Sequence, residues 1–381
     1  VSNSFDKNAD DDFTDFYSER GILQMHSHEG PKATVADVNG DGLDDIYIGG
    51  TAAKPGQLYI QGVSGNFSKK TEPAFVSSTG FVDGAVLFFD CDKDGDKDLL
   101  VCSGGNMAAA LSPQLQHRLF INDGKGNFVL ASKAFPANKD NISVATANDF
   151  DADGDLDLFV GAGFVTGSYG STAQSHIYIN DGKGSFSDMP ADKCKGITDA
   201  GMVTSAVWAD LDGDKKDELV ITGEWMSPAI FKYSNNSFTR WETNLSEYDG
   251  WWQTVAVADV NGDGKQDLVL GNLGENFCLK PGKEDPVKLF LKDFDNNGQV
   301  DKIITRSIDG KDKPVFMKTE LEIQMPFLKK QNLHYAVYAK KDIRALFGEE
   351  KLKGVVVKQI NYASSCIAFN EGKCVFRIQK L

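Results

Sequence analysis

The sequence predicts an all-β fold: a β-propeller of four-stranded antiparallel blades, with six visible repeats and a seven-bladed ring expected. Two observations carry the prediction. An aspartate-rich loop of nine residues recurs six times, starting at Asp37, Asp90, Asp149, Asp210, Asp259 and Asp293. A second motif, an apolar run followed by an Asn/Asp/Gly-rich turn and an aromatic, ends at Phe67, Phe128, Phe186, Phe238 and Phe376.

The loop comes first along each repeat. DFDADGDLD, residues 149 to 157, packs five aspartates around one glycine. Carboxylates that close repel one another and raise each other's pKa values. A hard divalent cation removes the conflict, and Ca²⁺ accepts many oxygen ligands in flexible geometry. Positions 1, 3, 5 and 9 are Asp, Asn or Glu in every copy, so these supply the candidate ligands, one Ca²⁺ per loop. They are Asp37, Asn39, Asp41 and Asp45; Asp90, Asp92, Asp94 and Asp98; Asp149, Asp151, Asp153 and Asp157. The remaining three sets are Asp210, Asp212, Asp214 and Glu218; Asp259, Asn261, Asp263 and Asp267; Asp293, Asp295, Asn297 and Asp301.

An EF-hand starts similarly but requires a bidentate Glu at position 12 and flanking helices. Position 12 here is Ile48, Val101, Val160, Ile221, Leu270 or Ile304, none of which can ligate a cation. The loops are flanked instead by apolar runs such as TVAVADV before and DLFVGAG after, which read as buried strands. Each loop therefore joins two antiparallel strands. The second motif is a β-hairpin, as in LFINDGKGNF. One unit is thus strand, metal loop, strand, longer loop, strand, tight turn, strand. Loop starts are separated by 53, 59, 61, 49 and 34 residues, which leaves the fifth blade short of strands.

These motifs resemble the FG-GAP (VCBS) repeat family of integrin-α-like propellers. The order of rarer segments, among them GWWQTVAVADVNGDG, GNLGENF and MPFLKK, resembles the carboxy-terminal propeller of ASPIC/UnbV-type surface lipoproteins of Bacteroidota. The resemblance implies an exported, outer-membrane-associated protein at the cell surface that works beside a nutrient-uptake system, and implies no enzyme activity.

Charge fits a metal-dependent body. The chain has 40 Lys and Arg against 55 Asp and Glu, a net charge of −15, and 25 of those acidic residues lie in the six loops. Six bound divalent cations would take the net charge to −3. Such a body is a poor partner for phosphate backbones, so no nucleic acid is expected. No apolar run approaches the length of a membrane span, and no signal or anchor segment is recognisable. Six cysteines are compatible with bridges; Cys366 with Cys374, and Cys91 with Cys102, are the pairs that flank a turn or a loop.

The chain divides into an N-terminal segment (1–32), propeller blades (33–304), a mainly helical insertion in the sixth blade (305–360) and that blade's outer hairpin (361–381). The insertion is predicted from the capping box TELE and the helical spacing in YAVYAKKDIRALFG. No nucleophile motif, phosphate loop or H-E-x-x-H occurs; His26 and His28 form an isolated H-x-H pair. The leading expectation is a noncatalytic surface module that binds glycan or protein. The alternative is a calcium-dependent carbohydrate-active enzyme such as a polysaccharide lyase. The expected ligand face is the one opposite the metal loops, where Trp225, Trp251, Trp252 and Tyr169 lie among Gly, Ser and Asn.

Overall fold

The computed structural model describes residues 5–7, 13–27, 30, 32–109 and 112–381, and the His28 half of the H-x-H pair falls outside them. The first three repeats each build one four-stranded antiparallel sheet in simple strand order, and the fourth is joined to the fifth in a single eight-stranded sheet. Blade one comprises β1 (Ala33–Ala36), β2 (Asp45–Ile48), β3 (Gln57–Gln61) and β4 (Phe67–Lys70). Blade two comprises β5 (Asp83–Phe89), β6 (Asp98–Ser103), β7 (Arg118–Asn122) and β8 (Phe128–Ala131). Blade three comprises β9 (Asn141–Asn148), β10 (Asp157–Phe164), β11 (His176–Asn180) and β12 (Phe186–Asp188). Blade four comprises β13 (Met202–Ala209), β14 (Glu218–Met226), β15 (Ala229–Ser234) and β16 (Ser237–Trp241).

Blade five opens with β17 (Gly250–Ala258) and β18 (Asp267–Asn272), and then the chain leaves it. The next four strands, β19 (Val287–Lys292), β20 (Asp301–Ile308), β21 (Lys311–Pro314) and β22 (Val356–Ile360), form a separate sheet in the order β21-β20-β19-β22. Only afterwards do β23 (Cys366–Gly372) and β24 (Val375–Lys380) return, with Ala368 opposite Leu268 on β18. The terminal hairpin therefore completes the fifth blade and is not the outer hairpin of a sixth. This corrects the sequence-based boundary, and it explains the short fifth repeat: its second half lies beyond an insertion. The insertion carries strands as well as the predicted helices. Its helices, Lys318–Gln324, Phe327–Gln331, Tyr335–Tyr338 and Ile343–Leu352, are bracketed by β20, β21 and β22.

First strands pack side by side, β1 on β5, β5 on β9, β9 on β13 and β13 on β17, so they are the innermost strands of five consecutive blades. Approach is close enough to demand glycine: a Cβ on Gly84 of β5 would lie 2.0 Å from the Ile142 carbonyl oxygen of β9. Apolar layers fill the spaces between blades. Leu100 and Leu119 of blade two meet Leu158 and Val160 of blade three, and Val220 of blade four meets Leu268 of blade five. The inserted sheet obeys the period of two. Val287, Leu289 and Leu291 face the blades, whereas Phe290 and Ile303 face the insertion's helices.

The inserted sheet is not the next blade of the ring. It packs on Phe164, Met202, Trp225 and Trp251, at the ends of blades three to five opposite the metal loops. Val35 on β1 stays 58% exposed, and that flank of blade one carries Phe5 against Tyr59 and Phe67. No seventh sheet forms among the described residues. All six cysteines are free thiols. Cys366 faces Lys380 across its hairpin while Cys374 sits beside the Trp241 indole, and Cys91 and Cys102 lie at opposite ends of the β5–β6 hairpin.

Candidate metal centres and the opposite face

The six loops share one hydrogen-bond plan. The first aspartate caps the loop by accepting backbone N–H groups: Asp37 from Gly40 and Gly42 at 2.8 Å each, Asp90 from Lys93 at 2.8 Å, Asp259 from Gly262 at 2.7 Å. Position 5 accepts from position 7, as Asp94 does from Asp96 at 2.9 Å. Position 9 starts the second strand and is buried in every copy, from 0% exposed for Asp45, Asp98 and Asp267 to 3% for Asp301. Its carboxylate ties the loop to the blade. Asp98 accepts from Cys91 N–H at 3.0 Å and from Asn122 N–H on the third strand at 2.8 Å. In the inserted sheet the Gln324 side chain takes the third strand's place, donating to Asp301 at 3.0 Å.

Carboxylates are gathered closely enough to share an ion. Asp90, Asp92 and Asp94 offer oxygens within 4.8 Å of one another, as do Asp149, Asp151 and Asp153, the set Asp210, Asp212 and Glu218, and the set Asp293, Asp295 and Asp301. Loops one and five carry Asn39 and Asn261 at position 3, each donating to the position-5 aspartate at 3.2 Å. Internal hydrogen bonds leave part of the site unsatisfied. Asp92 Oδ1, Asp149 Oδ1 and Asp157 Oδ2 are buried without a donor. Burial pushes the Asp157 carboxyl up to about 7, with Asp151, Asp155 and Asp153 adding repulsion against the Asn180 N–H. Burial also takes Glu218 up to about 7, opposed by the Leu211 N–H and Lys232. Buried acceptors without donors and carboxyls held above their ordinary range fit a cation as the absent partner.

The fourth loop departs from the plan. The Lys232 ammonium, reached from β15, contacts Asp212 and lies 3.6 Å from Glu218, with the Trp241 ring 3.9 Å away. An internal cation already occupies the space between two of that loop's candidate ligands. Nothing in the nine-residue motif announced it, since Lys232 lies 14 residues past Glu218.

A second recurring device latches neighbouring blades. Asn122 Nδ2 donates to the Val38 carbonyl of loop one, Asn180 Nδ2 to the Cys91 carbonyl of loop two, and Asn370 Nδ2 to the Leu211 carbonyl of loop four, at 2.8, 2.8 and 2.7 Å. Each asparagine sits at or near the end of the third strand of its blade and reaches the loop of the preceding one.

The opposite face differs from the sequence expectation. Trp225, Trp251, Trp252 and Tyr169 are 5%, 3%, 0% and 4% exposed, so none offers a platform for a ligand. Trp252 packs within the layer between blades four and five, and the other three lie under the inserted sheet and the segment around Ile22. The elements that cover these aromatics come from distant parts of the chain, so their Gly- and Ser-rich local sequence does not announce the burial.

Below that cover lies a buried polar network. Glu19 accepts from Tyr169 N–H at 2.6 Å and Asn106 at 2.9 Å, and pairs with Lys302 on β20 at 2.9 Å. Asn106 also donates to Asp15 at 2.7 Å. Glu224 accepts from the Tyr169 hydroxyl at 2.5 Å, Gln24 at 3.1 Å and Gln253 at 3.0 Å. Every member is satisfied by another, which describes a clamp more than a catalytic site. No described helix is long and apolar enough to cross a membrane.

Residues 37–101, 149–221 and 210–270 match the family model of the FG-GAP-like repeat. Among solved structures, the V. cholerae biofilm matrix protein Bap1 is similar at 15% identity over 75% of this chain and 38% of that one, with a TM-score of 0.33. The Dos1 propeller is similar at 13% identity over 63% of this chain and 50% of that one, with a TM-score of 0.35. The chain thus spans half or less of each solved chain. No curated protein sequence matches it.

Proposed function

We propose, starting from a chain that carries FG-GAP-like repeats on propeller blades, that this protein is a noncatalytic, calcium-binding module that binds glycan or protein at the bacterial cell surface. Ca²⁺ fills the loops through the position 1, 3, 5 and 9 side chains, and the rigid propeller then serves as a scaffold within an outer-membrane assembly. The observation that carries the calcium reading is the set of buried, donorless oxygens Asp92 Oδ1, Asp149 Oδ1 and Asp157 Oδ2 inside loops of repeated geometry. A buried polar atom without a partner costs about 1–3 kcal/mol, and a coordinated cation removes that cost while cancelling repulsion. The binding role rests on the FG-GAP-like repeats and on the rigid scaffold that the propeller blades form.

Calcium is expected to raise the melting temperature. A ligand at 100 times its Kd stabilises by roughly 2.7 kcal/mol per independent site. Scanning calorimetry in millimolar Ca²⁺ and in chelator reads the effect, and Asp153→Ala should reduce it by one site's share. Equal melting temperatures in the two buffers would overturn the metal reading. A glycan array probed in Ca²⁺ and in chelator tests the binding role.

A further inference from the structure

We propose that the groove on the inserted sheet, lined by Arg306, Lys313, Lys318, Lys341, Tyr335 and Tyr338, binds an anionic saccharide, one bearing carboxylate or sulfate groups. The proposal rests on the surface-binding reading above and locates it.

Charge is the first argument. Residues 305–360 hold 12 Lys or Arg and seven Asp or Glu, a net of +5, so the rest of the chain carries −20 to make the total −15. The inserted region is thus a basic island on an acidic body. Four of its cations line a groove of about 640 Å³ between the β20–β21 hairpin, the Cys278–Leu279 connector and the helix Tyr335–Tyr338, and no carboxylate lines it. That volume lies within the range of small-ligand sites.

Those cations are largely unspent. Lys318 is neutralised by Glu322 at 2.7 Å. Lys313 and Lys341 donate only to the carbonyls of Ala339, at 3.0 Å, and Gln331, at 3.3 Å. Arg306 is exposed and has no ion pair or hydrogen bond among the described residues. Three positive charges therefore face one cleft with no negative partner, an arrangement that repels itself until an anion enters.

The aromatic lining selects the chemical class. Tyr335 is 53% exposed, yet its ring is held in place, with its hydroxyl 3.2 Å from Thr319 and the Lys318 ammonium 5.3 Å from its centroid. Tyr338 is anchored by its hydroxyl, which donates to the Phe316 carbonyl at 2.8 Å. A fixed, half-exposed ring offers an apolar face with a polar tip, which suits the C–H face of a sugar. The flanking guanidinium and ammonium groups suit its acid substituents. A long nucleic acid fits poorly, because its dense phosphates would run out over a body carrying −20.

The test uses the calcium-loaded full chain and isothermal calorimetry with four probes: a short oligogalacturonate, a heparin-derived oligosaccharide, a neutral cello-oligosaccharide and a poly-glutamate peptide. Binding of at least one acidic oligosaccharide, weakened by salt, with the neutral probe inert, is expected. Arg306→Glu/Lys313→Glu should lower that affinity at least about tenfold, the scale of a lost charge-assisted contact. Tyr335→Ala should lower it at unchanged salt dependence. Lys125→Glu/Lys183→Glu, at two exposed lysines of hairpin turns on the metal-loop face, matches the change in net charge. If an oligosaccharide binds but the groove variants match that control, the groove assignment falls and the surface-binding reading stands. If no oligosaccharide binds, the glycan reading itself falls. Equal binding of the neutral probe, or binding of a poly-glutamate peptide alone, would also overturn the proposal.

Discussion

Asn180 ends β11 with its side-chain amide donating both to Cys91 O of the preceding loop and, at 3.1 Å, to Leu156 O of its own loop. Its Oδ1 accepts from Gly182 N–H in the hairpin turn at 3.2 Å. One buried side chain thus satisfies two carbonyls and one amide while joining two blades. Asn180→Ala leaves those groups buried and unpaired, so a loss of about 2–3 kcal/mol is expected by urea denaturation in saturating Ca²⁺. Asn180→Asp should be at least as damaging at neutral pH, since a carboxylate then faces two carbonyls. That variant should recover as pH falls and the carboxyl protonates. A loss under about 0.5 kcal/mol for Asn180→Ala would show that the latch contributes nothing to stability.

At the scale of elements, the metal loops were legible because every constraint on them is local. Ligands, turn glycines and the flanking strand runs all fall within about a dozen residues, and repetition separates them from ordinary acidic turns. Blade membership was less legible. The sequence holds six loops but five hairpins with an aromatic opening the fourth strand, and the hairpin with Phe376 completes blade five by pairing β23 with β18, while its Asn370 latches to Leu211 of loop four. Proximity along the chain suggested the sixth repeat instead. Lys232 was illegible for a similar reason, since its role depends on the register of β15 against β14. That role gives a prediction. With Lys232→Met the fourth loop loses its internal ammonium, so Asp212 and Glu218 repel in chelator and bind Ca²⁺ without a competitor. The calcium-induced rise in stability should exceed wild type by about 1–3 kcal/mol, the scale of a charged hydrogen bond. Denaturant titrations of both proteins in Ca²⁺ and in chelator measure it, and equal rises would show that the lysine does not compete.

Over the whole molecule, the face opposite the metal loops is closed by parts that no local pattern links: the segment around Glu19, Asn106 after β6, Tyr169 after β10 and Lys302 on the inserted sheet. Backbone shape reinforces the side chains. Gly21 has φ +76°, and a Cβ there would lie 2.5 Å from the Lys302 carbonyl oxygen, so the segment seats flush against β20 only with glycine. The Glu19–Lys302 pair is buried on both sides, with side chains 0% and 4% exposed. Coulomb attraction in such a place roughly offsets desolvation, whereas removing one partner strands the other's charge. Lys302→Met is therefore expected to cost about 3–5 kcal/mol, and Glu19→Gln/Lys302→Met should restore a large part because neither charge then remains. Urea denaturation of the two single variants and the double variant gives the coupling directly. Limited proteolysis adds the structural readout: Lys302→Met should expose the chain near Arg20 to trypsin, and the double variant should protect it again. A double variant no more stable than Lys302→Met would mean that the inserted sheet and the N-terminal segment are held by packing around Ile22 alone, with the ion pair a passenger.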